Sequence, residues 1–504
     1  MTAHPAKSSV TLGGARVGIA DVVAVARDRA PVEVAAGVDA RLLRARAVVD
    51  RAAGGDAPVY GLNSALGANT GAPLAPDDQI RYQTRAVRAR AVGIGPPLPD
   101  DRVRAAMFAR AAGMAQGGSG ISVGAFRALV DALNRGLCPR VPGWGSIGVA
   151  DLPQMSHIAL VLMGEGEAVV DGTRVGGAQA LAAAGLAPVA LAAKDGLAFI
   201  SSNAVTVGYA SLVLSDLARM FAMHDAVIAL SCEGFRANLS PLDPRAQAAR
   251  PAPGQAEAAS RLMKALEGSA LLMLGTARRV QDPLSFRCIA QVHGAVHDAL
   301  ARATEHAEIE LNAAADSPLV DADEDRLLST GNFHIPGLAI ACEALGIAVA
   351  QAASLAVERC IKLLSPAASG LPLQLTRHGP QHSGFATVQK PLTALANDIR
   401  HLANPACLDF LPVSEGVEDH ATMAPRSVSK LDEMRERLAG IIAIEAMIAA
   451  QAVDLRPADV KTTLGSGARR IYDGVRARCA ILDDDRSLAP DFEVVSAWLA
   501  KDRK

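Results

Sequence analysis

Two stretches decide the fold: residues 203–230, NAVTVGYASLVLSDLARMFAMHDAVIAL, and residues 336–364, PGLAIACEALGIAVAQAASLAVERCIKLL. Both are long and nearly uncharged over much of their length. A helix that is apolar on every side must be buried on every side, inside a bundle or at a contact between subunits. Helical spacing continues around them in VDARLLRARAVVDRAA (38–53), DDRVRAAMFARAAGMAQ (100–116) and VGAFRALVDALNRG (123–136), with Asp and Gly at suitable ends. Strand alternation is sparse. KLLSPAASGLP (362–372) and PACLDFLP (405–412) read as loops between helices, and no internal repeat is evident. The expected architecture is all-α, a long central helical bundle with a loop-rich N-terminal region. Residues 1–200 would form the loop-rich part, and 201–504 the long-helix bundle and C-terminal helices.

The bulk composition agrees. At 504 residues the chain can build one large helical body or two to three domains. Half of it is hydrophobic but aromatics make up only 3%, so the core must be Ala, Leu, Val and Ile. Ala and Leu lose little on entering a helix and let helices approach closely. A formal net charge of −2 gives no electrostatic case for nucleic acid or an anionic membrane. Seven cysteines without paired or metal-like spacing read as reduced thiols of a cytosol. MTAHPAKSSVTLGG at the N-terminus lacks a basic region followed by an apolar core, so no export signal is expected. ALAAAGLAPVALAA (180–193) is broken by Gly185 and Pro188 and is too short to cross a bilayer. The expected setting is cytoplasmic.

Two loops attract attention as sites. YGLNSALGANTGAP (60–73) packs three Gly and two Asn into a short span, and PGWGSIGVADLPQMSH (142–157) is a Gly-rich loop feeding an apolar run. Together with QDPLSFRCIAQVHGAVHDAL (281–300), ELNAAADSPLV (310–320), GNFH (331–334) and VEDHATM (417–423), they resemble, in order, motifs of the histidine and aromatic amino acid ammonia-lyases. The resemblance covers most of the chain. It implies a homotetramer whose sites draw on more than one chain, acting on a small molecule.

In that family an Ala-Ser-Gly triplet cyclises and dehydrates to methylidene-imidazolone, an electrophile. The family loop reads Gly-Ser-x-Gly-Ala-Ser-Gly-Asp-Leu. Here Gly145-Ser146-Ile147-Gly148 is followed by Val149-Ala150 and then Asp151-Leu152. One residue is missing, and neither Val149 nor Ala150 is Ser or Gly. Ala368-Ser369-Gly370 aligns with a segment that family members carry as ordinary structure. No such cofactor is expected. Two further departures accompany the loss: Leu284 replaces the Tyr of Gln-Asp-Pro-Tyr, and Ser201-Ser202-Asn203 replaces Asn-Gly-Thr.

The resemblance assigns roles to the residues that remain. Tyr60 would take the β-proton, which a phenol can do only if its surroundings stabilise the phenolate. Arg287 would hold the substrate carboxylate with its planar fork. Glu418 would face the substrate ring, with Asp419 and His420 capping and pairing helix ends. Asn203, Gln281 and Asn312 are polar neighbours that either bind substrate or serve structure, and Phe333 would line the pocket. Lys390 stands where the family usually has a phenol, and an ammonium in that apolar stretch is costly to bury without a partner. Arg90, replacing a family His, would meet a polar substrate tail or reinforce a subunit contact. His293 and His297 have i, i+4 spacing but no third ligand, so no metal is expected.

The chemistry follows from what is missing. Electrophilic activation is needed because ammonia leaves poorly and the β-proton is weakly acidic. A trimethylammonium leaves as a neutral amine, and a sulfur-bearing imidazole accepts negative charge from the adjacent carbon. Both conditions meet in ergothioneine, the trimethyl betaine of 2-thiohistidine. Elimination to thiourocanate and trimethylamine by acid/base catalysis, with Lys390 beside the sulfur, is the expected reaction. Elimination from another histidine-like betaine such as hercynine, and a non-catalytic relative, are the alternatives.

Overall fold

The computed structural model describes residues 9–70, 72–456 and 463–501. The reading of the N-terminal stretch as lacking an export signal therefore falls largely outside the described residues. The protein is mostly helical, 60% helix against 7% strand. Among the described residues the strands are two to four residues long and form four small sheets. The longest helices are Ala204–Phe235, Ile289–Leu311, Pro336–Leu364 and Ala424–Asp454. The first and third begin within a residue of the two defining sequence stretches. Two helical segments, Asp195–Phe235 and Pro336–Leu364, are long and apolar enough to cross a membrane, but 83% and 61% of their most apolar windows are buried within the protein. Burial of that kind marks core helices.

Two compact units share the chain, and they are interleaved rather than divided by one cut near residue 200. The first comprises Met1–Ser215, Thr304–Ile340 and Ala406–Val428; the second comprises Asp216–Ala303, Ala341–Pro405 and Ser429–Lys504. Every described strand lies in the first unit. Here the helix Asp100–Ala115 is buried along nearly its whole length and packs on Ile19–Ala26 and Val123–Asn134. A Cβ on Gly208 would come within 2.6 Å of the Ala105 carbonyl carbon, so only glycine allows this approach of two helix backbones. Close packing of small residues replaces the missing aromatics.

Three shorter helices of the first unit, Pro76–Arg90, Leu152–Leu162 and Asp195–Ile200, pack against one another. This contact gathers three loops: the one before residue 76, the one before 152 and the one after 200. Gln83 fastens the first of these loops to the Asp195–Ile200 helix, donating to the Gly61 carbonyl at 3.0 Å and accepting from the Leu197 N–H at 3.2 Å. The Leu152–Leu162 helix starts six residues earlier than a loop over 142–157 implies. Pro153 is tolerated there because a first-turn residue needs no N–H.

The second unit is built around a fully buried ion cluster. Glu445 accepts from the Arg359 guanidinium at 2.6 and 3.0 Å, from Ser231 at 2.9 Å and from His224 at 2.9 Å. Burial pushes the Glu445 carboxyl up, but Arg359 and His224 together outweigh it and hold it well below the usual range. The other histidine of that region, His293, is also buried, and burial pushes it well below its usual value. Among the described residues no group of three or more His, Cys, Asp or Glu is arranged to hold a metal. Removing one member of a buried pair strands the other charge, so Glu445→Ala is expected to cost about 3–5 kcal/mol. Denaturant unfolding of the variant checks this.

Candidate active site

The gathered loops of the first unit build a connected polar region around Asp151. This carboxylate is fully buried and accepts from the Ser146 hydroxyl at 2.6 Å, the Thr206 hydroxyl at 2.9 Å and the Thr206 N–H at 2.8 Å. Its own N–H donates to the Ser202 carbonyl at 2.8 Å. Burial pushes the carboxyl up, and the hydrogen bonds pull against it. Asp151 thereby joins the 145–151 turn to the start of the helix Ala204–Phe235. On its other side the turn is clamped to residues 422–423. Thr422 donates to the Gly148 carbonyl at 3.0 Å, and the Met423 N–H donates to the Ile147 carbonyl at 2.9 Å. A Cβ at Gly148 would collide with the Thr422 hydroxyl, and its φ of +81° also suits glycine.

Tyr60 sits on a loop held from within. Asn63 accepts from the Val59 N–H at 2.6 Å and donates to the Ala57 carbonyl at 2.9 Å and the Gly55 carbonyl at 3.2 Å. The Tyr60 ring is 37% exposed, and its oxygen accepts from the Gly67 N–H at 2.9 Å. Accepting that bond leaves the phenolic proton without an acceptor among the described residues. The turn at Gly67–Asn69 packs on the turn at Ser414–Gly416, which brings the Tyr60 loop beside the loop bearing Glu418. Glu418 pairs its backbone with Val413 and accepts from the Ser414 hydroxyl at 3.0 Å. Ser414 and Glu415 both adopt left-handed backbone, φ +57° and +55°, a strain that clusters at functional sites.

Val149 bridges His334, whose Nε2 lies 2.7 Å from the Nδ1 of His420. His420 thus pairs with another imidazole rather than a helix end. Asn203 is only 5% exposed and donates to the Phe333 carbonyl, while its Oδ1 has no partner among the described residues. Asn203, Phe333 and Ser202 line a small cavity of about 30 Å³, which Glu310 also lines.

Other expected site residues have different surroundings. Asn312 is a staple: it accepts from the Val17 N–H at 2.9 Å and donates to the Val17 carbonyl at 2.8 Å and the Glu308 carbonyl at 2.7 Å. Its amide is fully engaged in structure rather than offered to substrate. Arg90 ends its helix and donates to the Ala86 carbonyl at 3.2 Å, where a cation suits the helix C-terminus. Gln281, Arg287 and Lys390 belong to the second unit. Arg287 is half-buried with no acidic partner among the described residues. Lys390 is exposed in the first turn of the helix Gln389–Leu402, so the cost of burying its ammonium does not arise. The helix dipole disfavours a cation there, and helix stability does not explain the residue.

Several participants escaped sequence reading. Asp151 and Thr206 are distant in sequence and meet only through helix packing. Glu310 stands inside the recognised ELNAAADSPLV segment, but its neighbours are set by the fold. His334 and His420 lie in two recognised motifs, and only their pairing was invisible.

The first unit thus places the loop bearing Tyr60 beside the loop bearing Glu418, and ties the 145–151 turn to the helix that begins just after Asn203. Residues 17–477 match the aromatic amino acid lyase family, and the chain belongs to that family. It is 37% identical to a histidine ammonia-lyase of Symbiobacterium thermophilum over 96% of this chain and 95% of that one. Among solved structures it superposes on the ergothionase of Treponema denticola in complex with desmethyl-ergothioneine sulfonic acid, with a TM-score of 0.94, 32% identity and 98% of each chain covered. A tyrosine aminomutase of Streptomyces globisporus gives a TM-score of 0.91 at 32% identity, over 98% of this chain and 97% of that one.

The residues present do not fit the family's electrophile. The turn offers Val149 and Ala150, with no hydroxyl to eliminate and no Gly nitrogen to close a ring. The hydroxyl earlier in the turn, that of Ser146, donates to Asp151 and accepts from the Gly148 N–H at 3.1 Å.

Burial, and then the neighbouring His420, push His334 below its usual 6.5. The folded state therefore binds fewer protons here than the unfolded one, and stability from this ring is lost as pH falls through 6.5. In an NMR titration His334 is expected to titrate below 6.5. His420→Ala should raise it only partly, because burial is the larger cause.

Proposed function

We propose that the protein eliminates trimethylamine from ergothioneine to give thiourocanate, without the electrophile of its relatives. The observation that carries this reading is the Gly148-Val149-Ala150-Asp151 turn, which cannot form the electrophile yet is clamped between Thr206 and Thr422 in a site that keeps Tyr60 and Glu418. A substrate with a better leaving group is the chemical consequence. In the reaction Tyr60 removes the β-proton, the released electron pair forms the carbon–carbon double bond, and the carbon–nitrogen bond breaks to release neutral trimethylamine. Arg287 holds the carboxylate, and Glu418 with Lys390 grips and polarises the thioimidazole. Phe333, Asn203 and Gln281 complete the substrate contacts. The likeness to the Treponema denticola ergothionase supports this choice.

The second reading is elimination of ammonia from histidine, favoured by the name of the Symbiobacterium thermophilum relative and its slightly higher identity. Assaying the purified protein with ergothioneine, histidine and hercynine, with trimethylamine quantified, separates the two. Thiourocanate with matching amine from ergothioneine alone is expected. Turnover of histidine would refute the proposal. Tyr60→Phe should lower kcat about 10²–10⁴-fold, the range for a lost general base. Lys390→Met should lower it about 10²–10³-fold, the range for one lost stabilising group.

We further read the chain as a cytoplasmic homotetramer. Leu274, Val280, Leu408 and Leu411 are each at least 74% exposed, and Ile340 and Ile347 stand out from the long Pro336–Leu364 helix. Large apolar side chains this exposed are the kind that contacts between chains cover. Light scattering after gel filtration should give four times the chain mass of 51.9 kDa.

A further inference from the structure

Glu310 stands in the last turn of the helix Ile289–Leu311 and lines the cavity shared by Asn203 and Phe333. Three features make a carboxylate expensive there. Most of its surface is withdrawn from solvent, the C-terminal end of a helix repels an anion, and no described residue supplies a hydrogen bond or countercharge. Arg110 is the one other charged group lining the cavity, and its guanidinium is engaged with Asp316 at 2.7 and 3.3 Å. The segments 202–207 and 313–315 bring no titratable group, and His334 beyond Phe333 is turned to His420.

The other walls are mostly Ala and Gly, together with Ser202, Val207, Ile335 and Phe333. With the Arg110 charge balanced by Asp316, mainly apolar walls, Phe333 and one unpaired carboxylate suit a cation that has no N–H to donate. The unpartnered Oδ1 of Asn203, on a side chain 5% exposed, adds the negative end of a dipole. We propose that Glu310 and this cavity form the seat of the substrate's quaternary ammonium, so that the arriving cation supplies the charge partner Glu310 lacks. The assignment rests on the betaine reading above and specifies where the departing nitrogen is held.

Burial pushes the Glu310 carboxyl up to about 7. The group is neutral below that value and anionic above it. A cation favours the anion, so binding strengthens as pH rises through 7 and releases a proton. The probe is choline compared with its uncharged isostere 3,3-dimethylbutanol, titrated calorimetrically into the whole protein at pH 6 and pH 8. Choline should be preferred at pH 8, and that preference should fall about tenfold at pH 6, following the ionised fraction. Glu310→Gln should abolish both the preference and its pH dependence, while Glu310→Asp retains them in part. Absence of a choline preference in the wild-type protein overturns the assignment. So does a Glu310→Gln protein that behaves as wild type. A choline preference without trimethylamine release from ergothioneine would refute the substrate and keep the ammonium seat. Trimethylamine release with choline binding unchanged in Glu310→Gln would keep the reaction and refute the seat.

Discussion

The buried carboxylate of Asp151 organises the site. It takes hydrogen bonds from Ser146 and Thr206 and so locks a turn to the first residues of a long helix. A buried carboxylate is costly unless each lone pair is engaged, and here the bonds come from both sides of the turn. The position of Val149 relative to His334, and of Gly148 relative to Thr422, follows from that lock. The frame depends on Asp151 and on the clamp to Thr422 rather than on the residues between Gly148 and Asp151.

Around this frame the chain separates structural polar groups from chemically available ones. Asn312, Asn63 and Gln83 spend their amides on backbone and hold loops. Tyr60, Asn203 and Glu310 each retain an unspent proton, oxygen or charge in the same unit. For the buried Asn203 and Glu310 such unspent polar capacity is unfavourable for the folded protein alone, whereas Tyr60 is open to solvent.

The low aromatic content has a structural consequence. Close approach of helices at Gly208 lets the helices Asp100–Ala115 and Ala204–Phe235 come near enough for Ala109, Gly113 and Val207 to form one small-residue wall. A core of bulky side chains would fill that space. The same packing habit that stabilises the helices leaves room at their ends.

The sequence by itself determined the helical class, because residues 203–230 and 336–364 have no polar face and permit no other stable burial. It also identified the loops, since Gly and Asn at 60–73 and 145–148 report backbone conformation locally. Tyr60, Asn203, Phe333 and Glu418 were legible as candidates through recognisable motifs. The fate of a polar side chain was not legible: Asn203 and Asn312 read alike in sequence, yet one keeps a free oxygen and the other is a staple to Val17. Lys390 read as a burial problem and is exposed, because its helix starts at the surface. The interleaving of the two units and the setting of Glu310 were decided by tertiary structure alone. Both depend on contacts between segments far apart in the chain, and a helical pattern specifies which face is buried but not against what.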